Sequence, residues 1–481
     1  MKKIALYINI FIVIICTYGL GSCKKEIKIP PPSNAITTEE VFADSADANS
    51  AIEGIYNTMY SNGIFFGNGA ILGSGGITFM GGSSSDELIP FQGFYSLLYT
   101  NQLTNSDGST PVTIWEPAYS NLYIANSCIE NLEVSKNISI ATKNQLSGEA
   151  IFMRAFNDFY LVNFYGDIPL VTTSNYLQVQ TLARTAKASV YQAIISDLKT
   201  AQALLRDDYS ISNGERVRVN KWAATALLAR VYLYSGDLND AISQATQVIN
   251  NTSLFSLVPD LNSVFLKNNS EAILQFEVNP AVQPFNATIE GFNIVPSAGY
   301  VPNWYLTPQL LSAFETGDHR RLSWVDSTNV GGTEYYFPYK YKIGPDQAQI
   351  NTPATEYYMV LRLAEQYLIR ADANAQLGNL TMAINDLNII RQRAGLPALS
   401  TSLSKDQVVA AVAQERRIEL FAEWGHRWLD LKRTGMVNAV MSVVTPLKVG
   451  SAGGWKSYQQ LYPILQHDLN TDPNLRQNPG Y

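Results

Sequence analysis

The sequence predicts a mainly α-helical protein, a tetratricopeptide-like scaffold carrying long loop-rich insertions and a few short strands. Three observations predict it. Apolar residues recur at helical spacing along much of the chain. One helix-turn-helix pattern occurs twice: Ala229-Arg230-Val231-Tyr232-Leu233-Tyr234-Ser235-Gly236-Asp237-Leu238 leads into Ala241-Ile242, and Ala371-Asp372-Ala373-Asn374-Ala375-Gln376-Leu377-Gly378-Asn379-Leu380 leads into Ala383-Ile384. Small residues let two antiparallel helices approach, and the glycine ends the first of them, as in a tetratricopeptide repeat. Third, residues 63–111 and 253–354 lose helical periodicity and are rich in Gly, Asn and aromatic side chains. The two copies are far apart in sequence, so the expectation is a scaffold wrapped by insertions rather than a clean solenoid.

The chain divides into three parts. Residues 1–22 read as a signal peptide: Met1-Lys2-Lys3 is basic, Ile4 to Leu20 is uncharged and nearly all apolar, and Leu20-Gly21-Ser22-Cys23 has small residues before a cysteine. Cleavage before Cys23 would free it for lipid attachment, which anchors a chain to a membrane without spanning it. Residues 23–37 form a tether stiffened by Pro30-Pro31-Pro32. Residues 38–481 are expected to be one domain. Of the 3 cysteines, Cys128 remains and reads as a small buried hydrophobe. The net charge of −7 and the lack of a basic patch exclude nucleic acid as a partner.

Within the domain, Thr38 has the character of an N-cap, and Ala48, Ala51, Ile52, Ile55, Tyr56 and Met59 define a helix. Gly67, Gly69, Gly73, Gly75, Gly76, Gly81 and Gly82 then break any helical pattern, and Ser83 to Glu87 follow as a polar turn. Helices are expected over 114–132, 144–165 and 189–205. Alternation at 272–278 and 330–343 predicts short strands, and 310–315 a short helix.

Catalytic motifs are missing. There is no G-x-S-x-G elbow, no G-x-G-x-x-G or P-loop cradle, and no cysteine–histidine zinc spacing. His319, His426 and His467 are the only histidines. Glu423 and His426 have Glu-x-x-His spacing, but a carboxylate-bridged metal site needs a second copy. Neither a metal nor a cofactor is expected. Asp86 and Glu87 form the one loop pair that could serve glycoside cleavage, and the same two residues suit an ordinary solvated turn. The aromatic loops carry the binding chemistry. Sugars present apolar C–H faces edged with hydroxyls, so flat rings stack on the face while amides and carboxylates bind the edge. Asp86, Phe91, Phe94, Tyr95, Tyr99, Asn101, Tyr300, Asn303, Trp304, Tyr305 and Trp455 are the candidate ligand-binding residues. The same side chains can equally pack a core.

Charge concentrates in Glu415 to Gly435, although only 16% of the chain is charged. Glu415, Arg416, Arg417, Glu419, Glu423, His426, Arg427, Asp430, Lys432 and Arg433 alternate there with Ile418, Leu420, Phe421, Trp424, Trp428 and Leu431. The pattern is a helix re-aimed at Gly425 and stopped at Gly435. Its charges, with Glu415 and Glu419 set against Arg416 and Arg417, form a network expected to act as a structural clasp.

These motifs in this order resemble the SusD/RagB family: the lipobox at Cys23, Arg154-Ala155-Phe156 through Tyr165-Gly166-Asp167-Ile168-Pro169-Leu170, the repeat, the charged tract, and the tail from Leu461-Tyr462-Pro463-Ile464 to Asn478-Pro479-Gly480-Tyr481. The resemblance implies a non-enzymatic outer-membrane lipoprotein facing the cell exterior. It would capture glycans and deliver them to a SusC-like TonB-dependent transporter. A peptide-binding or purely structural partner of the transporter is the alternative, and a glycoside hydrolase a third. The resemblance carries no site residues with it. The first loop here is richer in Phe and Tyr than in Trp.

Overall fold

The computed structural model describes residues 38–61, 76–91, 96–106, 114–450 and 453–481. The chain forms two units. Met1–Val41 is represented among the described residues by a one-turn helix, Thr38–Val41. The signal segment, Cys23, the tether, Phe94 and Tyr95 lie outside the described residues. The second unit is Phe42–Tyr481.

Its scaffold is an array of helices, each packed on the next. They are α1 (Ser45–Ser61), α3 (Trp115–Val134), α4 (Ile140–Tyr165), α5 (Lys187–Leu204), α6 (Lys221–Ser235), α7 (Leu238–Asn250), α8 (Leu363–Leu377), α9 (Leu380–Arg393) and α10 (Lys405–Glu419). A separate helix, α2 (Gly76–Ser84), precedes α3 in the chain. The caps explain the boundaries. Ser139 accepts from the Thr142 amide at the start of α4, and Asn220 accepts from Trp222 and Ala223 at the start of α6. The repeat glycines close α6 and α8 in left-handed conformations, Gly236 at φ 92° and Gly378 at φ 85°. A residue with a β-carbon would cost about 1 kcal/mol there.

The two repeat copies are neighbours in space, because α7 packs directly on α8. The helical array is therefore continuous, with the insertion wrapped onto it. The insertion leaves after α7 and returns through a strand pair, β2 (Ala272–Phe276) with β6 (Tyr358–Arg362), which delivers the chain to α8. Ala364, Leu368, Ala371, Ala375, Ala383, Ile384, Leu387, Ile390, Val408 and Val412 form the core that α8, α9 and α10 share. Alanine at four of those positions sets the close helix approach. Two further strand pairs lie within the unit: β1 (Leu88–Pro90) with β3 (Trp304–Leu306), and β4 (Val325–Val330) with β5 (Thr333–Pro338).

The expected break over the glycine-rich stretch is corrected at its end. Gly76–Ser84 is a helix, and every residue in it is buried. The glycines permit this. A β-carbon on Gly81 would lie 2.5 Å from the Cα of Gly425, so two backbones touch where no side chain fits. Ser83 to Glu87 is likewise buried rather than solvated. Lys448, on α12 (Val437–Val449), caps the end of α2 by donating to the carbonyls of Ser83 and Ser84 at 2.8 and 3.3 Å, and to Ser85 beyond them.

The charged tract is the end of α10, a turn, and α11 (His426–Arg433). In the turn, Ala422, Trp424 and Gly425 all take positive φ, at 50°, 48° and 65°. This is how the chain is re-aimed. Glu415, Glu419 and Glu423 find their partners across the fold rather than in Arg416 and Arg417 beside them. Glu419 binds Arg362 at 2.6 Å and Arg320 at 3.0 Å, and also Arg393. Glu423 binds Arg362 and Lys340, Glu415 binds Arg320 and Arg391, and Glu271 binds Arg362 and Arg393. Arg416 pairs with Asp430 at 2.7 Å, which also takes Arg433. Burial favours neutral Glu419, yet the surrounding guanidinium groups outweigh it and hold the carboxyl well below its usual range.

Candidate ligand-binding surface

The two aromatic loops are more than 200 residues apart in sequence, yet β1 and β3 join them edge to edge. Leu88 pairs with Leu306, Ile89 with Tyr305 and Pro90 with Trp304, and the Phe91 amide donates to the Asn303 carbonyl at 2.9 Å. Alternation along a strand then sorts the side chains. Leu88, Trp304 and Leu306 point into the protein, while Ile89 and Tyr305 are only partly covered. Tyr305 packs edge-on against Tyr335 of β5, with centroids 5.2 Å apart. Phe91 and Tyr300 stand out from this edge at 50% and 70% exposure. Tyr99 is half-buried, with the Lys448 ammonium 4.7 Å from its ring. Burial, then proximity to Tyr305, raises the Tyr99 hydroxyl above its ordinary value; burial, then Tyr335, does the same at Tyr305. Both hydroxyls therefore stay protonated near neutral pH and can donate to an edge of a ligand.

Three expected contact residues are corrected. Trp304 is 3% exposed, with one face stacked on Phe79 of α2 at 3.9 Å and 7° between planes. Strand phase decides this: in Trp304-Tyr305-Leu306 only the middle side chain can face outward, and a register argument cannot choose the phase in advance. Asn101 is buried at a left-handed turn, where its amide donates to the Ser84 carbonyl at 3.0 Å. Asp86 is buried between Arg417 and Arg427, each 2.7 Å from a carboxylate oxygen. Burial alone would raise its pKa, but Arg427 and Arg417 outweigh this and hold it below the usual range. Asp86 is thus a foundation rather than a ligand contact. The charged tract grips it, and Thr307, just past β3, donates its hydroxyl to the Asp86 carbonyl and its amide to the Glu87 carbonyl.

Asn303 serves the backbone, its amide donating to the Asn293 carbonyl at 3.2 Å. Trp455 belongs to another neighbourhood, edge-on to Trp428 of α11 and bonded to Asn438. Glu87, the partner in the expected carboxylate pair, is wholly buried. Burial, reinforced by the Asp86 charge, pushes its pKa up to about 8. His426 is buried near Glu365 at 3.9 Å, and burial lowers its pKa to about 4, leaving a neutral ring. Among the described residues no group of histidine, cysteine and carboxylate side chains could hold a metal ion, and no helix is long and apolar enough to cross a membrane. Tyr335 was missed from sequence. The signal was present, since it lies in the alternating stretch from Val330, but nothing marked it as facing Tyr305.

The sequence profile of the SusD family matches residues 321–481, and a second profile, described as starch-binding associating with outer membrane, matches residues 78–233. The chain matches the SusD family over both stretches. The first match takes in the end of the insertion and the charged tract, and the second the helices from α2 into α6. A SusD-like protein of Formosa agariphila is 27% identical over 94% of this chain and 95% of its own. The fold is that of a solved SusD superfamily protein from Bacteroides vulgatus, with a TM-score of 0.76 at 23% identity over 92% of this chain and all of that one. A laminarin-binding SusD-like protein superimposes with a TM-score of 0.72 at 23% identity, over 91% of this chain and 99% of its own. Within the SusD scaffold, the tail motif has a clear local role. Asn478 donates to the carbonyls of Tyr165 and Tyr462, and Arg184 reaches both Tyr165 and Asn478, so the C-terminus locks the end of α4.

Proposed function

We propose that this protein is a non-enzymatic glycan-capture lipoprotein of the outer membrane. Its lipid at Cys23 holds it at the exterior face, and it passes oligosaccharides to a SusC-like TonB-dependent transporter. The ligand sits on the aromatic edge formed by Phe91, Tyr99, Tyr300, Tyr305 and Tyr335. The observation that carries this reading is the β1–β3 pair, which gathers aromatic side chains from two distant loops onto one partly exposed edge. The starch-binding profile match over residues 78–233 and a laminarin-binding structural relative support the ligand class. The Asp86–Glu87 pair gives the hydrolase alternative no support. Asp86 is spent on two arginines, and neither residue is open to solvent.

Capture would work by stacking. An aromatic ring contributes about 1 kcal/mol beyond its buried area, so a few rings give the modest affinity suited to handing a ligand on. Isothermal titration with laminarin and starch oligosaccharides tests the reading. Micromolar to millimolar binding is expected with at least one, together with roughly tenfold weakening in Tyr305→Ala. Absence of heat with either glycan, or affinity unchanged in both Tyr305→Ala and Phe91→Ala, rejects this surface. New reducing ends during incubation would overturn the non-enzymatic assignment.

A further inference from the structure

The Lys448 ammonium stands where three parts of the molecule meet. It leaves the last turn of α12 and reaches the end of α2 and the turn beyond. The last carbonyls of a helix have no partner within it. Lys448 takes those of Ser83 and Ser84 at 2.8 and 3.3 Å, and Ser85 after them. An ammonium has three hydrogens to donate and no lone pair, so three carbonyl oxygens use it fully. A neutral amine has two hydrogens, and its lone pair would face the third oxygen. The arrangement therefore fits the charged form. The same nitrogen lies over the Tyr99 ring, 4.7 Å from its centroid. Tyr99 ends the one-turn helix Ser96–Tyr99, and Asn101 just beyond it bonds both the Ser84 carbonyl and Thr445 of α12. One side chain thus ties α12 to the corner that leads into β1 and to a ring of the aromatic edge.

Few charges act on this ammonium. α2 carries no titratable side chain. The turn after it carries Asp86, already held by Arg417 and Arg427, and Glu87, which feels Asp86, Arg427, Lys340 and Arg417. Tyr99 keeps its proton near neutral pH. α11 packs beside α12 and brings Arg427 to Asp86. Its other charged groups are engaged elsewhere: His426 near Glu365, Asp430 with Arg416, Lys432 on the Asn163 carbonyl and Arg433 with Asp372. Burial pushes the Lys448 pKa down to about 7, against the pull of Asp86. The third donor is therefore lost just above neutrality.

We propose that Lys448 is a positioning residue of the aromatic edge: its ammonium, by gripping the carbonyls of Ser83, Ser84 and Ser85 together with the Tyr99 ring, fixes Tyr99 where the ligand meets it. The proposal rests on the glycan reading above. If the gripped arrangement is the one that binds, ligand and proton reinforce each other, and the coupling is the same in both directions. Titrating the full chain with a laminarin oligosaccharide at pH 6 and pH 8.5 tests it. Affinity is expected to fall about fourfold between the two, and saturating laminarin should raise the Lys448 midpoint by about 0.7. That midpoint is read on the parent protein by NMR of carbon-13-labelled lysine, the signal being the one missing in Lys448→Met. Lys448→Met should bind at both pH values as weakly as the parent does at pH 8.5. Glu87→Gln should keep the parent's pH dependence. Binding of Lys448→Met equal to the parent's at pH 6, or a Lys448 midpoint that laminarin does not move, overturns the Lys448 role alone. So does a pH dependence that vanishes in Glu87→Gln. A parent that binds no laminarin at either pH rejects the glycan reading and this role with it.

Discussion

Asp86 and Phe91 are five residues apart and belong to opposite worlds. Asp86 is sunk in the charged network, held by Arg417 and Arg427, while Phe91 stands half in solvent beside Tyr305's strand. The comparison reverses a common intuition. The residues with the most evident chemistry, the carboxylates, guanidinium groups and histidine of the tract, are buried and engaged with one another. The residues offered to the outside are aromatic and carry no charge. A buried ion network demands partners for every charge, because an unpaired one costs several kcal/mol. That requirement makes it directional glue, able to fix the turn at Leu420–Gly425 and the foot of β1 in one arrangement. A partly exposed aromatic edge has no such requirement and remains available.

The largest test of this contrast is Glu419→Ala. It strands Arg320, Arg362 and Arg393 without their shared carboxylate. A loss of about 3–5 kcal/mol is expected in chemical denaturation. A loss under 1 kcal/mol would mean that the network is ornamental.

Glu87→Gln acts through pH. The Glu87 pKa of about 8 in the fold lies above its usual 4.5, so the stability gained from its neutral form is complete below pH 4.5 and disappears as pH rises to 8. Glutamine cannot ionise. The variant should match the parent near pH 4.5 and exceed it by about 2–4 kcal/mol at pH 9. Parallel stability–pH curves would refute that assignment.

Arg427→Ala removes one of two grips on Asp86 and should cost about 1–3 kcal/mol. Because Arg417 and the β1–β3 pairing remain, the folded fraction should bind glycan within threefold of the parent. Collapse of affinity at unchanged melting temperature would move the site into the charged tract. The smallest stability effect belongs to Tyr305→Ala, expected within about 0.5 kcal/mol of the parent although its glycan affinity falls. A large drop in melting temperature would make Tyr305 a core residue and erase the contrast.

Much of this was legible in the sequence. The expected 114–132, 144–165 and 189–205 helices are Trp115–Val134, Ile140–Tyr165 and Lys187–Leu204, and the strand expected from Ala272 is there. Local periodicity and caps suffice for those. The repeat was readable because Gly236 and Gly378 do the same backbone work. Three things were hidden. Gly76–Ser84 looks like a broken stretch because its glycines serve a contact with Gly425, which local propensity cannot register. Spacing pairs Glu415 and Glu419 with Arg416 and Arg417, but residues on one helix face compete with equally good partners from other elements. Composition alone marks the two loops, and only strand phase separates Tyr305 from buried Trp304.

Helix α2 also has a consequence in time. Its sequence is finished at Ser84, but several of its contacts come from the far end of the chain. Thr78 accepts from the Trp424 amide, Gly81 lies against Gly425, and Ser84 bonds the Tyr462 hydroxyl at 2.7 Å. Such contacts close loops of hundreds of residues and form late. A ribosome that has made the first four hundred residues has made none of these partners. A chain cut short before Tyr462 would therefore be damaged at its beginning, with α2 and the adjoining β1 left without their seat.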